Sequence, residues 1–420
     1  MSAASQMNTA APAQPNSRSS ARLMSLDVFR GATIAAMILV NNPGNWSAAY
    51  KPLLHAEWHG WTFTDVIFPF FLWIVGVAIP LSTARRLEQG QRRRELLVHA
   101  LRRAAIIFAL GFFLNSFGYL IDGSLFRDGF TAWLHNYATT VRIPGVLQRI
   151  GICYFVAMLI YLGAGIRGQV TWIAALLAGY WVLMIVGPLL GCGTGGLERQ
   201  GNFCEYIDNL VLNGKVIGTH VWSGGKTWDP EGIFSTVPAV ATCLLGIMTG
   251  HVLRSNQTPE TRTAWLCVAG NLLLLLGAVM DAWLPINKNI WTSSYAVFMT
   301  GMAMNCFAVA YWLVDVQGWR KWAKPFAIYG MNAIAVFMLA GLLGRISLAV
   351  KLTNAAGHQV ALKTWLYDKL FAPFASPETA PLLGFLASPK NASLMWALMY
   401  VIALYLVAAV MYRRKWFLKF

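Results

Sequence analysis

The stretch that decides the fold is FPFFLWIVGVAIPLSTARR, residues 68–86. A run of apolar side chains is followed directly by two arginines. Similar runs recur along the chain, and each is near the roughly 20 residues that a helix needs to cross a ~30 Å hydrocarbon layer. The chain of 420 residues is 57% hydrophobic and only 12% charged. These features predict an all-α polytopic membrane protein.

The basic residues predict how the chain threads the membrane. A dense group of arginines begins at Arg85 and Arg86 and continues to Arg102 and Arg103. Short loops rich in Lys and Arg remain in the cytoplasm. Alternating the apolar runs from there gives about ten transmembrane helices with both termini cytoplasmic. The spans are expected near 26–41, 64–83, 104–120, 144–164, 169–190, 233–253, 263–284, 291–314, 326–347 and 392–412.

The same clustering accounts for the formal net charge of +16. In a soluble protein such a charge would suggest nucleic acid as a partner, but here it follows the positive-inside pattern, so nucleic-acid binding is not expected. Residues 1–21 are small, polar and Pro-containing, which predicts a disordered cytoplasmic tail without a removable signal peptide. Residues 22–420 are predicted to form a single transmembrane domain with outer loops near 41–63, 191–231 and 348–390.

The cysteines give little functional information. Cys192 and Cys204 share one outer loop, and an oxidising periplasm would permit a disulfide between them. Sequence cannot supply the pairing geometry, so both states stay open. The chain has no CxxC, no HExxH and no clustered Cys/His set, and therefore no metal site is expected.

Polar and ionisable side chains stand at expected outer ends of the spans, and one more, Asn332, stands near the start of the ninth span. Such groups are costly near a bilayer and are functional candidates by default. The set comprises Asn41, Asn42, His55, Glu57, His59, Asp65, Arg142, Arg149, Asp229, Glu231, Asp281, Asn287, Lys288 and Asn332.

Ordinary structural roles compete with function for several of these groups. Asp65 can be a helix cap or first-turn acid, and Trp58 can belong to the interfacial aromatic belt. Arg149 lies further into a span and is expected to need a partner. The imidazole of His55 can act as a general base, and the amide of Asn41 can stabilise an oxyanion. These residues fit proton or acyl transfer at the outer face and fit a transporter's binding site equally well.

Six motifs, in order, resemble the heparan-α-glucosaminide N-acetyltransferase family of transmembrane acetyltransferases, which has many bacterial members. The motifs are SLDVFRG (25–31), HAEWHGWTFTDVIFPFF (55–71), RIPGVLQRIGICYF (142–155), DPEGIFSTVPA (229–239), PINKNIW (285–291) and YGMNAI (329–334). The resemblance covers about residues 22–345 and, more loosely, the last span. It implies a multi-pass enzyme of the bacterial inner (cytoplasmic) membrane. The enzyme would move acetyl from cytoplasmic acetyl-CoA to the amine of a glucosamine-type sugar on the periplasmic side.

The resemblance also implies roles for individual residues. The family's active-site histidine matches His55, which would act as general base or carry the acetyl group covalently. A family asparagine matches Asn41, with Asn42 as the alternative, and would stabilise the tetrahedral oxyanion. The family has asparagine at the position of His59, so His59 is not expected to be essential. Supporting or substrate-binding roles are predicted for Asn42, Trp58, Asp65, Arg149, Glu231, Asn287, Lys288 and Asn332. The phosphates of CoA are predicted to meet Arg85, Arg86, Arg102 and Arg103.

Two alternatives to this function stay open. One is an inner-membrane transporter of amino sugars such as N-acetylglucosamine, without acyl-transfer chemistry. The other is a related acyltransferase with a different acyl group or acceptor. The resemblance is compatible with a homodimer, and the natural acceptor sugar cannot be read from the residues.

Overall fold

The computed structural model describes residues 23–214, 218–222, 227–354, 356–376, 378 and 387–418, and the predicted tail 1–21 lies outside them. The described chain forms fifteen α-helices and two short antiparallel hairpins. The helices are α1 (Met24–Asn41), α2 (Phe63–Glu88), α3 (Arg93–Ile121), α4 (Ser124–Asp128), α5 (Phe130–Thr140), α6 (Val146–Gly163), α7 (Ile166–Leu189), α8 (Phe203–Leu212), α9 (Thr236–Arg254), α10 (Pro259–Met280), α11 (Ser293–Tyr311), α12 (Lys324–Met331), α13 (Ala333–Ala349), α14 (Leu362–Leu370) and α15 (Pro389–Arg413). The strands are β1 (Asn213–Gly214), β2 (Gly218–Thr219), β3 (Lys351–Thr353) and β4 (Gln359–Ala361).

Nine helices in the described ranges are long and apolar enough to cross a membrane, namely α1, α2, α3, α6, α7, α9, α10, α15 and α11 with its π-helical extension Trp312–Val316. The pair α12 and α13 adds a tenth span if it is taken as one unit. The prediction of an all-α polytopic membrane protein is therefore confirmed. Each predicted span falls on one of these helices or on the pair.

The ninth span differs from its prediction as a single helix over 326–347. It breaks at Asn332, where α12 and α13 are bent by 80°. The Asn332 side chain donates to the carbonyl of Trp416 at 3.0 Å and accepts the N–H of Leu418 at 3.1 Å. The backbone that follows α15 therefore forms two hydrogen bonds with Asn332 at the break, and these bonds stabilise the bend.

The bundle has two chemically different ends. The arginine end, defined by residues 85–103, holds the end of α2 and the start of α3. Arg254 at the end of α9 pairs there with Glu88 at 2.6 Å. The His55 end, defined by the loop 42–62, holds the end of α1 and the start of α2. The connections from α3 to α6, from α7 to α9 and from α13 to α15 lie at the same end, as the alternation of the helices requires.

The start of α1 and the end of α15 both lie at the arginine end. Asp315, in the π-helical turn that follows α11, accepts the backbone N–H groups of Met24 and Ser25 at 3.3 and 3.0 Å. A carboxylate at this position satisfies orphan N–H groups of the first turn and suits the positive end of the helix dipole. The same contact fixes α1 against the end of α11.

Glycines allow the closest helix contacts. A Cβ placed on Gly31 of α1 would lie 1.7 Å from the carbonyl oxygen of Phe326 in α12, and one on Gly330 would lie 1.9 Å from that of Asp27. Gly76 and Gly246 serve the contact of α2 with α9 in the same way. Small residues are typical of helix contacts in membranes, because association there depends on close packing.

Candidate active site

A histidine–aspartate pair lies where the loop 42–62 enters α2. The His55 Nδ1 atom is 2.6 Å from Oδ1 of Asp65. The Asp65 side chain is 1% exposed, whereas that of His55 is 49% exposed. Because Nδ1 is engaged by the buried carboxylate, Nε2 is the ring nitrogen left for a reacting group. This is the arrangement of a general base held in orientation by an acid.

Asp65 also shapes the loop that carries His55. Its Oδ2 atom accepts the N–H groups of Ala56 and Thr62, each at 3.0 Å, and completes a capping box with Thr62. Tyr295 from α11 donates to the Asp65 carbonyl at 2.5 Å. Asp65 is therefore both a first-turn acid of α2 and the partner of the His55 imidazole. Its role as a helix cap and its role beside His55 are compatible.

A buried ion network lies beside this pair. Arg142 binds Asp229 through two bonds, of 2.7 and 2.6 Å, and Glu231 through a third of 2.5 Å. Lys288 Nζ is 3.9 Å from Glu231 Oε1. Burial opposes the charge of Glu231, but Lys288, Arg142 and Arg149 outweigh it and lower the pKa of Glu231 to about 2. Burial also opposes the charge of Arg142, and the two carboxylates nevertheless raise its pKa above the ordinary value.

Arg149 is fully buried, and no carboxylate of the described residues binds it. Its Nη2 atom donates to Ser235 Oγ at 2.5 Å and to the Gly232 carbonyl at 3.1 Å. Its guanidinium lies 5.2 Å from the ring centroid of Trp291. Among the residues that the structure describes, its Nε and Nη1 atoms find no hydrogen-bond partner. The expected need for a partner is thus met only in part, by a hydroxyl, a carbonyl and an aromatic face.

Trp58 and Asn287 connect the His55 loop to its surroundings. Trp58 donates its indole N–H to Leu197 at 2.8 Å and packs edge-on against Trp228. Asn287 is buried. Its Oδ1 atom accepts the backbone N–H groups of Asn289 and Ile290, and these two bonds stabilise the turn before α11. Its Nδ2 atom lies 3.4 Å from His59 Nδ1. Both predicted site residues therefore support the loop.

A cavity of about 530 Å³ opens at the same end of the bundle. It lies between α1, α3, α6, α13 and α15, and His55 is not among its lining residues. Its polar and charged lining residues are Asn41, Asn42, Asn115, Arg142, Gln148, Arg345, Ser347 and Lys363. Arg142 thus borders the cavity on one side and the ion network on the other.

The two candidate asparagines of α1 differ in this cavity. Asn42 donates its amide N–H to the Ile38 carbonyl at 2.8 Å. Asn41 is exposed, and within the described residues its amide makes no hydrogen bond. Of the two, Asn41 has the amide that is available to a ligand.

Several predicted residues lie elsewhere. Asn332 is at the arginine end, bound to the chain that follows α15. Arg85, Arg86, Arg102 and Arg103 are at the arginine end too, on α2 and α3. The guanidinium of Arg103 lies 5.2 Å from the ring centroid of Tyr154. The structure therefore divides the predicted residues into three groups. One group forms or supports the His55–Asp65 pair, one lines the cavity, and one lies at the arginine end.

The sequence marks Arg142 and Asp229 as candidates but does not pair them, and the structure joins them in an ion pair beside the site. Arg345 and Lys363 are not among the sequence candidates, yet both line the cavity. Arg345 carried a usable signal, because it interrupts the apolar run of α13, whereas Lys363 stands in an ordinary polar segment.

Within the described residues the cysteines are free and no metal-binding cluster is found. Cys192 and Cys204 are both free thiols, and Cys204 is buried 3.5 Å from the Tyr180 hydroxyl and 3.8 Å from the Met184 sulfur. In the described part of the chain, no three His, Cys, Asp or Glu side chains converge on a common point that could hold a metal ion.

Fold and site together define a polytopic helical membrane protein with a histidine–aspartate pair at one end of its bundle. No family model matches the chain. It is similar to the heparan-alpha-glucosaminide N-acetyltransferase of Homo sapiens, with 31% identity over 363 residues, covering 76% of this chain and 52% of that protein. The Mus musculus protein of the same name is 30% identical over 373 residues, covering 77% and 54%. The chain belongs to the heparan-alpha-glucosaminide N-acetyltransferase family, as its motifs predicted, and spans about half the length of these curated relatives.

Proposed function

We propose that this protein is a transmembrane N-acetyltransferase. It moves acetyl from cytoplasmic acetyl-CoA to the amine of a glucosamine-type sugar on the periplasmic side of a bacterial inner membrane. The observation that carries the proposal is the 2.6 Å contact between half-exposed His55 and buried Asp65. The names of the two relatives, which contain both acetyl transfer and glucosaminide, support the reaction class.

His55 acts as the general base in this scheme. Asp65 holds the ring so that the proton stays on Nδ1 and the lone pair of Nε2 faces the acceptor amine. The amine attacks the thioester carbonyl, Nε2 takes the amine proton, the C–S bond breaks, and CoA leaves as its thiol with that proton. In the two-step variant Nε2 attacks the carbonyl, the C–S bond breaks and CoA leaves as its thiolate. The amine then takes the acetyl group from Nε2, and the proton that the amine loses goes to the thiolate.

Asn41 supplies the oxyanion contact. Its amide is free of bonds to the described protein and lines the cavity at the end of α1. A preorganised N–H donor at the developing negative charge typically contributes about 3 kcal/mol to the barrier reduction. Asn42 is less suited to this role because its amide already donates to Ile38.

The neighbouring charges position the pair and hold its loop. Lys288 interacts electrostatically with both Asp65 and Glu231. Glu231 in turn holds Arg142 at the cavity wall. Arg149 supports the turn at residues 232–235 from within the bundle. These groups fix the electrostatics of the site without contacting the reacting atoms.

The arginine end is where the phosphates of acetyl-CoA would bind. Arg85, Arg86 and Arg102 provide cationic side chains there, and phosphate binding by such groups is favourable. Arg103 is partly engaged by Tyr154. The acetyl group would then reach the His55 end between the helices.

Labelled acetyl-CoA tests the proposal with purified protein. Glucosamine should release CoA thiol and become labelled, and His55→Ala should abolish the transfer while His59→Ala retains it. Incubation without acceptor separates the two mechanisms, since stoichiometric label on His55 supports two steps. If no amino sugar releases CoA thiol and labelled sugar crosses proteoliposome membranes, the protein is a transporter and the cavity is its binding site.

A further inference from the structure

The charged side chains that line the cavity at the His55 end are all cations. They are Arg142, Arg345 and Lys363, and among the described residues no Asp, Glu or His side chain lines it. The cavity volume of about 530 Å³ lies within the usual range of ligand sites. A bound molecule therefore meets positive charge in this cavity without a neighbouring acid.

Two of these cations have no counter-charge. Arg142 is compensated by Asp229 and Glu231, which bind it behind the cavity wall. Arg345 donates to a backbone carbonyl of its own helix at 3.1 Å, and Lys363 makes no hydrogen bond or ion pair within the described residues. All 17 Asp and Glu residues of the chain lie in the described ranges, and none of them forms an ion pair with Arg345 or Lys363.

Arg345 lies beside the end of α1. A Cβ placed on Gly344, the residue before it, would be 3.8 Å from the Oδ1 atom of Asn42. Asn41, which supplies the oxyanion contact in the proposed mechanism, lines the same cavity. The positive charges of Arg142 and Arg345 are close enough to repel each other. An amine that reacts near Asn41 is therefore exposed to the same repulsion.

The protonation state of an amino sugar decides whether it can accept an acyl group. An amine beside electron-withdrawing carbons, like a peptide α-amino group, has a pKa of about 8. Most of it is ammonium at neutral pH, and an ammonium has no lone pair with which to attack a thioester. Nearby cations disfavour this charged form. A guanidinium keeps its own charge at every pH of an assay, so Arg345 acts throughout the pH range.

Resting on the proposed function, we propose that Arg345 and Lys363 make the cavity select the neutral amine of the acceptor sugar. The ammonium gives one proton to solvent water as the sugar binds, and the amine keeps the lone pair that attacks the thioester carbonyl. After the attack, His55 takes the proton that the new amide must lose. Arg345 and Lys363 act through their electrostatic field and do not contact the reacting atoms, so both are positioning residues.

Calorimetry on the purified full chain in zwitterionic detergent tests this selection. Glucosamine and glucose, which differ in the amine, are titrated at pH 6 and pH 8. The affinity for glucosamine relative to glucose should be at least about fivefold higher at pH 8, as a shift of about one pKa unit in the bound amine requires. At pH 7, titrations in two buffers of different ionisation enthalpy should show that glucosamine releases at least about 0.4 proton more than glucose.

Matched variants assign the effect to the two cations. Arg345→Gln and Lys363→Gln should each reduce both the pH dependence and the proton release, whereas Arg345→Lys keeps the charge and should retain them. Arg167→Gln and Lys321→Gln remove exposed cations at the arginine end and should behave as the wild type. His55→Ala should also retain the pH dependence of binding, because the imidazole is not among the lining residues.

Three results would overturn the inference. Equal relative affinity at the two pH values would show that the cavity accepts the ammonium as readily as the neutral amine. Tighter relative binding of glucosamine at pH 6 would show that an aromatic face such as Trp46, which lines the cavity, holds the ammonium. An equal loss of the pH dependence in the two exposed-cation controls would show that the cavity cations have no specific role.

Turnover distinguishes this inference from the proposed function. If glucosamine binds with proton release but no CoA thiol appears, the selection of the neutral amine stands and the acetyltransferase is lost. If glucosamine is acetylated and its relative affinity is the same at pH 6 and pH 8, the enzyme stands and the selection is overturned.

Discussion

Asp65 performs two tasks with two different oxygen atoms. Oδ1 holds the imidazole of His55, and Oδ2 closes the first turn of α2 through Ala56 and Thr62. Because the tasks use separate atoms, substitutions at this residue and at its capping partner separate catalysis from helix stability.

Asp65→Asn should lower kcat by a factor of about 10² or more, because an amide no longer holds the imidazole as the base that Nε2 requires. The KM for acetyl-CoA should change little. Release of CoA thiol under saturating acceptor measures this. Thr62→Ala is the control: it removes the cap at a cost of about 1 kcal/mol of stability and should leave kcat near the wild-type value. Equal losses of kcat in both variants would show that Asp65 acts only as a helix cap and has no separate role in orienting His55.

Arg142→Met should destabilise the protein by about 3–5 kcal/mol, because it leaves Asp229 and Glu231 buried without their guanidinium. Thermal unfolding in detergent gives the difference. Arg127→Met is the matched control, since Arg127 and Asp128 form an exposed pair, and such pairs contribute about 0–1 kcal/mol. Similar losses in both variants would contradict the assigned role of the buried network.

At the scale of elements, the contact of α1 with α12 depends on the absence of a side chain. Gly31→Ala places a Cβ where only 1.7 Å separates it from the Phe326 carbonyl oxygen. Overpacking of this kind costs about 1–3 kcal/mol. Gly179→Ala in α7 meets no atom within 4 Å and should be neutral or slightly stabilising. Melting temperatures of the two variants provide the comparison, and equal values would show that α1 can move away from α12.

The docking of α8 should make stability depend on pH. Asp208 accepts the N–H groups of Asp229 and Ile233 at 3.1 and 2.9 Å, and burial raises its pKa to about 7. A raised pKa in the folded state means a contribution that is complete below about pH 4 and is lost as the pH rises to about 7. The melting temperature should therefore fall across this window, and Asp208→Asn should flatten the slope. Asp128→Asn, an exposed acid, should keep the wild-type slope; an unchanged slope in Asp208→Asn would refute the assignment.

Much of the element scale could be predicted from sequence, since hydropathy reports burial in lipid over windows of about 20 residues. All the spans were found in this way. The break at Asn332 could not be found, because the bend is stabilised by Trp416 and Leu418, more than 80 positions further along the chain. Likewise, the sequence marks Gly31 as small but does not identify Phe326 as its neighbour.

The residues of the site also divide into those that the sequence could predict and those that depend on distant contacts. His55 and Asp65 lie ten positions apart in one motif, which marks both residues as candidates, but their contact is visible only in the structure. The Arg142–Asp229 pair spans 87 positions, so its formation depended on the arrangement of whole helices. Arg345 binds the Gly341 carbonyl and forms no ion pair within the described residues, and this could not be read from the sequence because it depends on the position of every neighbour.

At the scale of the whole molecule, the bundle presents opposite ends to opposite sides of the membrane. Ser47 at the His55 end and Gln91 at the arginine end are both exposed. With Cys192 replaced by Ser, Ser47→Cys and Gln91→Cys should react with a membrane-impermeant maleimide from the periplasmic and cytoplasmic sides, respectively. Labelling of both from one side would contradict the threading. The homodimer stays a prediction.

Helix α1 links the two ends of the bundle. It is unbroken over 18 residues, or about 27 Å, with its first turn held by Asp315 and its last residue, Asn41, in the cavity. A helix of this kind moves as a rigid rod. Under the proposed function, a shift of α1 on binding of acetyl-CoA at the arginine end would move Asn41 at the cavity, which would couple the binding of the two substrates across the membrane.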